Sequence, residues 1–236
     1  GWYNAEKVQD IACFPKLYET PIPNLRYVKK KPLDLINPFA KERIIWKKDF
    51  SEIIIKKGSP ISFWLDFGAI FCAVPGMTIV GNEDAKIVLH MEEFPGKIER
   101  TGTTETYILG QGKNEIESLR RHSIHYIQIV ISNFEEDIIL KEPQILVSVY
   151  PSEMPGEFHC SNKNLEKIYL LGCRTNQICR QTYHMDSPIH QEPLGCMGDY
   201  MIESLMNYYT FADPFLTRFD ILKIAMYLKD RNYKML

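Results

Sequence analysis

The sequence has no long apolar run. Its apolar stretches fall far short of the ~18–20 residues a helix needs to cross a bilayer, so no membrane span is expected. It has no excess of charge of either sign: 28 Lys and Arg stand against 30 Asp and Glu, a net charge of −2. Nucleic acid usually requires a strongly basic face, so no nucleic-acid partner is expected. There is no CxxC pair. Cys13, Cys72, Cys160, Cys173, Cys179 and Cys196 are widely spread, which predicts mostly buried thiols, with one disulfide in an oxidising compartment left open. Regular βαβ alternation and a Gly-rich phosphate loop are both missing, which argues against a nucleotide fold, and no cofactor is called for. Neither an internal repeat nor a low-complexity tract stands out. Gly1-Trp2-Tyr3 is no signal peptide, and the compartment stays open between periplasm and cytoplasm.

What is present is the composition of a folded chain: 45% hydrophobic and 25% charged residues. At ~100–200 residues per domain, the length makes one large or two small domains. Residues 1–43, with Pro15, Pro21, Pro23, Pro32 and Pro38, read as an extended lead-in. Residues 44–155 read as short strands. Ser51–Lys57, Ile61–Phe67, Lys86–Met91, Ile124–Ile131 and Gln144–Tyr150 are rich in branched and aromatic residues. Gly58-Ser59-Pro60, Pro75-Gly76, Gly81-Asn82, Pro95-Gly96 and Gly110-Gln111-Gly112 punctuate them. This spacing predicts an antiparallel β-sandwich.

Residues 156–236 change to a helical pattern. A helix capped at Ser161 or Asn162 is predicted to run to about Arg180, with Leu165, Ile168, Tyr169, Gly172 and Cys179 on one stripe. A second is predicted over roughly Met197–Phe211, with Met201, Leu205 and Tyr208 or Tyr209 inward. A third follows the Asp213-Pro214 start and carries Phe215, Phe219, Leu222 and Met226. Three such helices do not readily close a domain of their own, so the helical part is expected to continue beyond Leu236.

The densest polar constellation is the loop Asp186-Ser187-Pro188-Ile189-His190-Gln191-Glu192-Pro193-Leu194-Gly195-Cys196-Met197-Gly198-Asp199. Loops held by rigid elements often carry catalytic groups. Carboxyls brought close raise one another's pKa, which leaves one protonated as a general acid, and sugar hydrolysis uses such a pair. Carboxylates also accept hydrogen bonds from hydroxyl-rich ligands. A plainer reading stands beside this one: Asp186 caps the Ser187-Pro188 turn, Asp199 is the N-terminal acid of the second helix, and Glu192 is a solvated charge. No metal site is expected. His184, His190, Cys179 and Cys196 lie close in sequence, but no pair has zinc-ligand spacing. His122 and His125 read as ordinary strand residues on opposite faces. A Cys196–His190 nucleophile lacks a visible third group, and a buried thiol is the expected role for Cys196.

At this loop the sequence resembles a known family. Asp186-Ser187-Pro188-x-His190-x-Glu192-x-Leu194-Gly195-x-x-Gly198-Asp199 is similar to the signature loop of bacterial α-L-rhamnosidases, inverting glycosidases with an (α/α)6 barrel. That loop usually reads Asp-Cys-Pro-x-Arg-x-Glu-x-Leu-Gly-Trp-x-Gly-Asp. Glu157-Phe158-His159-Cys160-Ser161 with Leu165, then Gly172-x-Arg174-Thr175, resembles the opening helix of that barrel. Asp66-Phe67-Gly68, Leu89-His90-Met91-Glu92, Thr104-Glu105-Thr106-Tyr107 and Ile124-His125-Tyr126 resemble the preceding sandwich. Trp2, Ala5 and Pro21-Ile22-Pro23 resemble its lead-in.

The resemblance implies a β-sandwich followed by the first helices of the barrel, incomplete in this chain. It implies Glu192 as the general acid, with Asp186 and Asp199 holding sugar hydroxyls and helping to set the acid's pKa. His190 stands where the family has a sugar-binding Arg, and Cys196 where it has a Trp against the sugar. His offers at most two donors against the guanidinium fork, and Cys a small wall against an indole. The family carries its base, a Glu, on a much later helix. The chain is therefore expected to need the remainder of the barrel as its partner, and to be inactive alone. The implied ligand is a rhamnose-containing glycan or glycoside. A non-catalytic carbohydrate-binding protein on the same fold, or an (α/α)6 glycosidase for another deoxy sugar or a uronic-acid glycan, are the alternatives.

Overall fold

The computed structural model describes residues 19–36, 38–96, 103–188 and 196–230. Among these residues ten strands come first: β1 (Arg26–Lys30), β2 (Asp34–Ile36), β3 (Ile44–Trp46), β4 (Glu52–Ile55), β5 (Ile61–Gly81), β6 (Lys86–Glu92), β7 (Thr104–Ile108), β8 (Gly112–Glu117), β9 (His122–Ser132) and β10 (Ile138–Val149). Three helices follow: α1 (Lys163–Cys179), α2 (Met197–Thr210) and α3 (Phe215–Asp230). All strand pairings among them are antiparallel.

The strand order is β3-β4-β10-β5-β9-β6-β7, with β1 beside β10 and with β2 and β8 beside β5. β5 organises the whole. Its first part pairs with β9, from Ile61↔Ile131 to Asp66↔Tyr126. Its last part pairs with β10, from Ala73↔Val147 to Val80↔Ile139, and with β8 on the other side. Between them the register jumps at Asp66/Phe71, where Gly68 takes φ +81, a conformation L side chains rarely adopt. The Asp66 carboxylate accepts from the Gly68 amide at 2.6 Å and holds that bend. One buried cluster unites Phe63 and Leu65 from the first part, Ile79 from the last, Ile53 and Ile55 of β4, and Ile87 and Leu89 of β6. The sheet therefore folds over on itself around a single core, consistent with the expected sandwich.

β10 shows how the pattern is kept. Ile138 and Leu140 face the core on even positions, Ile145 and Val147 on odd ones. The switch is a bulge between Lys141 and Gln144, with Glu142 at φ +48. One extra residue reverses which face each later side chain occupies, so the bulge returns Ile145 and Val147 to the core.

Two differences from the sequence reading concern the sheet. Pro75-Gly76, read as a turn, lies inside β5, where its partner changes. Pro75 has no N–H for the ladder, but its carbonyl accepts from Ser118 N at 3.1 Å. Part of the segment read as lead-in, β1 and β2, is hydrogen-bonded into the sheet. Ile22 from that segment is also buried, in a small cluster with Tyr150 and Leu216.

The helices begin where the sequence placed them. The Asn162 side chain caps α1 by accepting from Asn164 N at 3.0 Å. Asp213 does the same for α3 through Phe215 N at 2.9 Å. Their buried faces are another matter. Leu165 and Ile168 are exposed, and α1 buries Cys173, Asn176 and Cys179. Met201, Leu205, Tyr208 and Tyr209 are exposed, and α2 buries Tyr200, Glu203, Ser204, Asn207 and Thr210. Phe215, Leu222 and Met226 are exposed, and α3 buries Leu216, Thr217 and Asp220. The helices meet one another through hydrogen-bonded polar side chains, such as Thr217 to Ser204 at 2.9 Å and Asn207 Nδ2 to the Asp213 carbonyl at 2.6 Å. Leu165 of α1 and Met201 and Leu205 of α2 lie exposed outside this junction.

Sheet and helices are joined by guanidinium and amide side chains. Arg174 donates to the Ile70 carbonyl at 2.7 Å and lies over the Phe71 ring. The Gln181 side-chain Oε1 accepts from the Ser148 hydroxyl at 2.7 Å and from Arg121 at 2.8 Å. Arg180 bonds Ser152 and Asp213, each at 2.6 Å, between the rings of Tyr150 and Phe211.

Candidate functional site

α1 and α2 run beside each other, and their facing residues leave a hollow of about 510 Å³. Ile168, Leu171, Ile202 and Met206 form apolar walls, while Asn176, Asp186, Asp199 and Glu203 supply polar groups. Such mixed linings, largely apolar with a few convergent polar groups, are typical of small-molecule sites.

The chain builds it by helical spacing. Asp199 lies in the first turn of α2, where the helix dipole favours an acid. Glu203, at i+4, falls on the same face one turn later. Asn176, three residues before the α1 terminus at Cys179, turns its amide toward α2, and its Nδ2 reaches the Glu203 carbonyl at 3.5 Å. Asp186 enters from the segment after α1. That segment doubles back through a bridge between Arg180 and His184, and the Met185 amide bonds the Cys179 carbonyl at 2.9 Å. His184 is pinned by Asp220 of α3 at 2.8 Å. The Asp186 side chain accepts from Ser187 N at 2.6 Å, the turn geometry the plainer sequence reading expected. Asp186 and Asp199 thus each serve their local structure, and both line one hollow.

Glu203 is the group the sequence reading missed. It is 8% exposed, and its Oε2 is enclosed with no hydrogen-bond partner among the described residues. Burial raises its pKa to about 8, helped by the negative charges of Asp199, Asp186 and Asp220. At neutral pH its carboxyl therefore keeps its proton. Asn176 is likewise buried, and its Oδ1 has no partner among the described residues. Its spacing of four from Asp199 was the visible signal for Glu203, which otherwise looks like any helix-interior acid. Cys179 lines the same hollow with its thiol pushed up to about 12, chiefly by burial and then by Glu203, so it is no nucleophile.

Of the residues singled out in the sequence, Asp186 and Asp199 are brought together here. Glu192 and His190 lie outside the described residues. Cys196, expected to be a buried thiol, is exposed at the start of α2 and makes no capping hydrogen bond with its side chain. Preceding the first turn rather than packing beneath it, it has no core to enter. Cys72, Cys173 and Cys179 are buried as expected. His122 is buried against Glu105 at 2.9 Å, and His125 is half-buried beside Asp66 at 3.2 Å. No group of three or more metal-ligating side chains occurs among the described residues. No described helix is long and apolar enough to cross a membrane.

No protein-family model matches the chain, and no curated protein matches it. Solved structures do. A GH78 family rhamnosidase of Bacillus sp. GL1 superposes with a TM-score of 0.61 at 22% identity, over 69% of this chain and 17% of that one. A rhamnosidase from Klebsiella oxytoca with rhamnose bound gives 0.67 at 16% identity, over 85% of this chain and 44% of that one. An α-L-rhamnosidase from Dictyoglumus thermophilum gives 0.59 at 20% identity, over 86% and 22%. The chain thus spans less than half the length of each of these relatives. At these identities the likeness is one of fold.

Proposed function

We propose that the chain is the sandwich and leading helices of an α-L-rhamnosidase-like glycoside hydrolase, with the helices opening an (α/α)6 barrel. The observation that carries this is the pairing of Asp186 and Asp199 in one hollow, at the two ends of the loop that holds Glu192. A 6-deoxy sugar presents hydroxyls on most of its ring and a methyl group at one corner. The carboxylates suit the hydroxyls, and Ile168, Leu171, Ile202 and Met206 suit the methyl and the ring face. Glu192 protonates the leaving oxygen, and His190 and Cys196 complete the loop's contacts with sugar. A Glu supplied by the remainder of the barrel activates water on the opposite face, about 6.5–9.5 Å from the acid, as inversion requires.

Binding tests this reading on the chain as it stands. Titration calorimetry with L-rhamnose should give saturable binding, and Asp186→Asn and Asp199→Asn should each weaken it by about tenfold, since a charge-assisted hydrogen bond is worth ~1.5–3 kcal/mol. No saturable heat with L-rhamnose or other neutral deoxy sugars defeats the reading. Saturable binding without hydrolysis, even when the protein carries the rest of the barrel, supports a carbohydrate-binding role instead.

A further inference from the structure

Resting on that sugar-site reading, we propose that the Glu203 carboxyl and the Asn176 amide form the floor of the hollow and read a neutral sugar hydroxyl, so that the site takes neutral sugars and rejects uronates. The hollow offers acceptors in excess. Asp186 and Asp199 carry carboxylates, and Asn176 and Glu203 each leave a buried oxygen without a partner among the described residues. An unpaired buried polar atom costs ~1–3 kcal/mol, so a group that satisfies it is favoured. Glu203, holding its proton, supplies a donor from the floor, while the Asn176 Oδ1 remains an acceptor. A hydroxyl both accepts and donates, so it matches a floor of this kind. A carboxylate ligand only accepts, and it would meet the charges of Asp186 and Asp199 in the hollow.

The groups that face Glu203 are Asp199 and Tyr200 on its own helix, Asp186 and Cys179 at the α1 side, and Asp220 from α3. None of the three aspartates favours ionising a further carboxyl. Cys179 and Tyr200 have pKa values raised by burial and stay neutral around pH 8.

Two measurements on the 236-residue chain separate the claims. The first needs no ligand. A folded-state pKa of about 8, above an unfolded carboxyl's ordinary value, gives stability that is full at acid pH and falls as pH rises toward 8. Wild type and Glu203→Gln should melt together near pH 5, and the variant should melt higher near pH 8.5. The second is calorimetric titration with L-rhamnose and with D-glucuronate. Wild-type affinity for rhamnose should fall about tenfold between pH 7 and pH 9, in step with the protonated fraction. Glu203→Gln, a neutral donor at every pH, should hold within about twofold, while Glu203→Ala binds weakly throughout. Glucuronate should not bind. Rhamnose binding whose pH profile is unchanged by Glu203→Gln overturns the proposal and leaves the sugar site standing, and so does glucuronate binding as tightly as rhamnose. Absence of binding by any sugar, with the melting curves as expected, overturns both.

Discussion

Arg180 is 1% exposed, and every group around it is there to receive it: Ser152 and Asp213 at 2.6 Å, with the rings of Tyr150 and Phe211 on its faces. A buried pair that loses one member leaves the other charge uncompensated, at a cost of about 3–5 kcal/mol. Arg180→Met should therefore lower urea-unfolding stability by that amount. Arg180→Lys should also be clearly destabilised, because an ammonium cannot reproduce the planar fork between two rings. The thiols make a second residue-scale contrast. Cys196 is exposed, whereas Cys179 is buried with its thiol held near 12. Brief alkylation of the native protein at pH 8, read by peptide mass spectrometry, should label Cys196 and leave Cys179 unmodified until the protein is denatured. Labelling of both at one rate would contradict the packing of α1.

At the scale of elements, the β10 bulge is the position most sensitive to backbone preference. Glu142 holds φ +48 while its side chain makes an exposed ion pair with Lys31 at 2.8 Å. A β-branched side chain fits that conformation poorly, so Glu142→Val should lower stability by about 1–2 kcal/mol. Glu142→Gly should stay within about 1 kcal/mol of wild type in the same denaturant titration. This bulge also shows why the strands were only partly legible. Alternation was plain in Lys86–Met91, where Ile87, Leu89 and Met91 are buried on one face. It was obscured where a strand changes partner at Pro75-Gly76, because Pro and Gly carry the same letters inside a strand as in a turn. β7 and β8, with short and largely polar faces, gave no apolar period to read. The helices were legible in extent and misread in orientation. Periodicity finds the apolar stripe, but the faces of α1 and α2 that meet are held by Asn176, Glu203, Ser204 and Asn207. The site was legible to the same degree. Its flanking aspartates stood out as loop carboxylates, while Glu203 sat unmarked within a helix.

For the molecule as a whole, the chain covers 17% to 44% of the rhamnosidases that share its fold. An inverting reaction needs two carboxyls on opposite faces of the sugar. On the function proposed above, the purified 236-residue chain should bind sugar without releasing aryl alcohol from an aryl α-L-rhamnoside in a long time course. Clear turnover would place the second carboxyl within these residues. A further consequence follows from β5, which runs through both parts of the folded sheet and finds its main partners, β9 and β10, far downstream. At ~5–20 residues per second, a ribosome takes roughly 3–14 s to make the stretch between the end of β5 and the end of β10. Throughout that interval Phe63, Leu65 and Ile79 emerge with no core to join, so this protein's yield in a cell depends on how well its longest strand is shielded while translation continues.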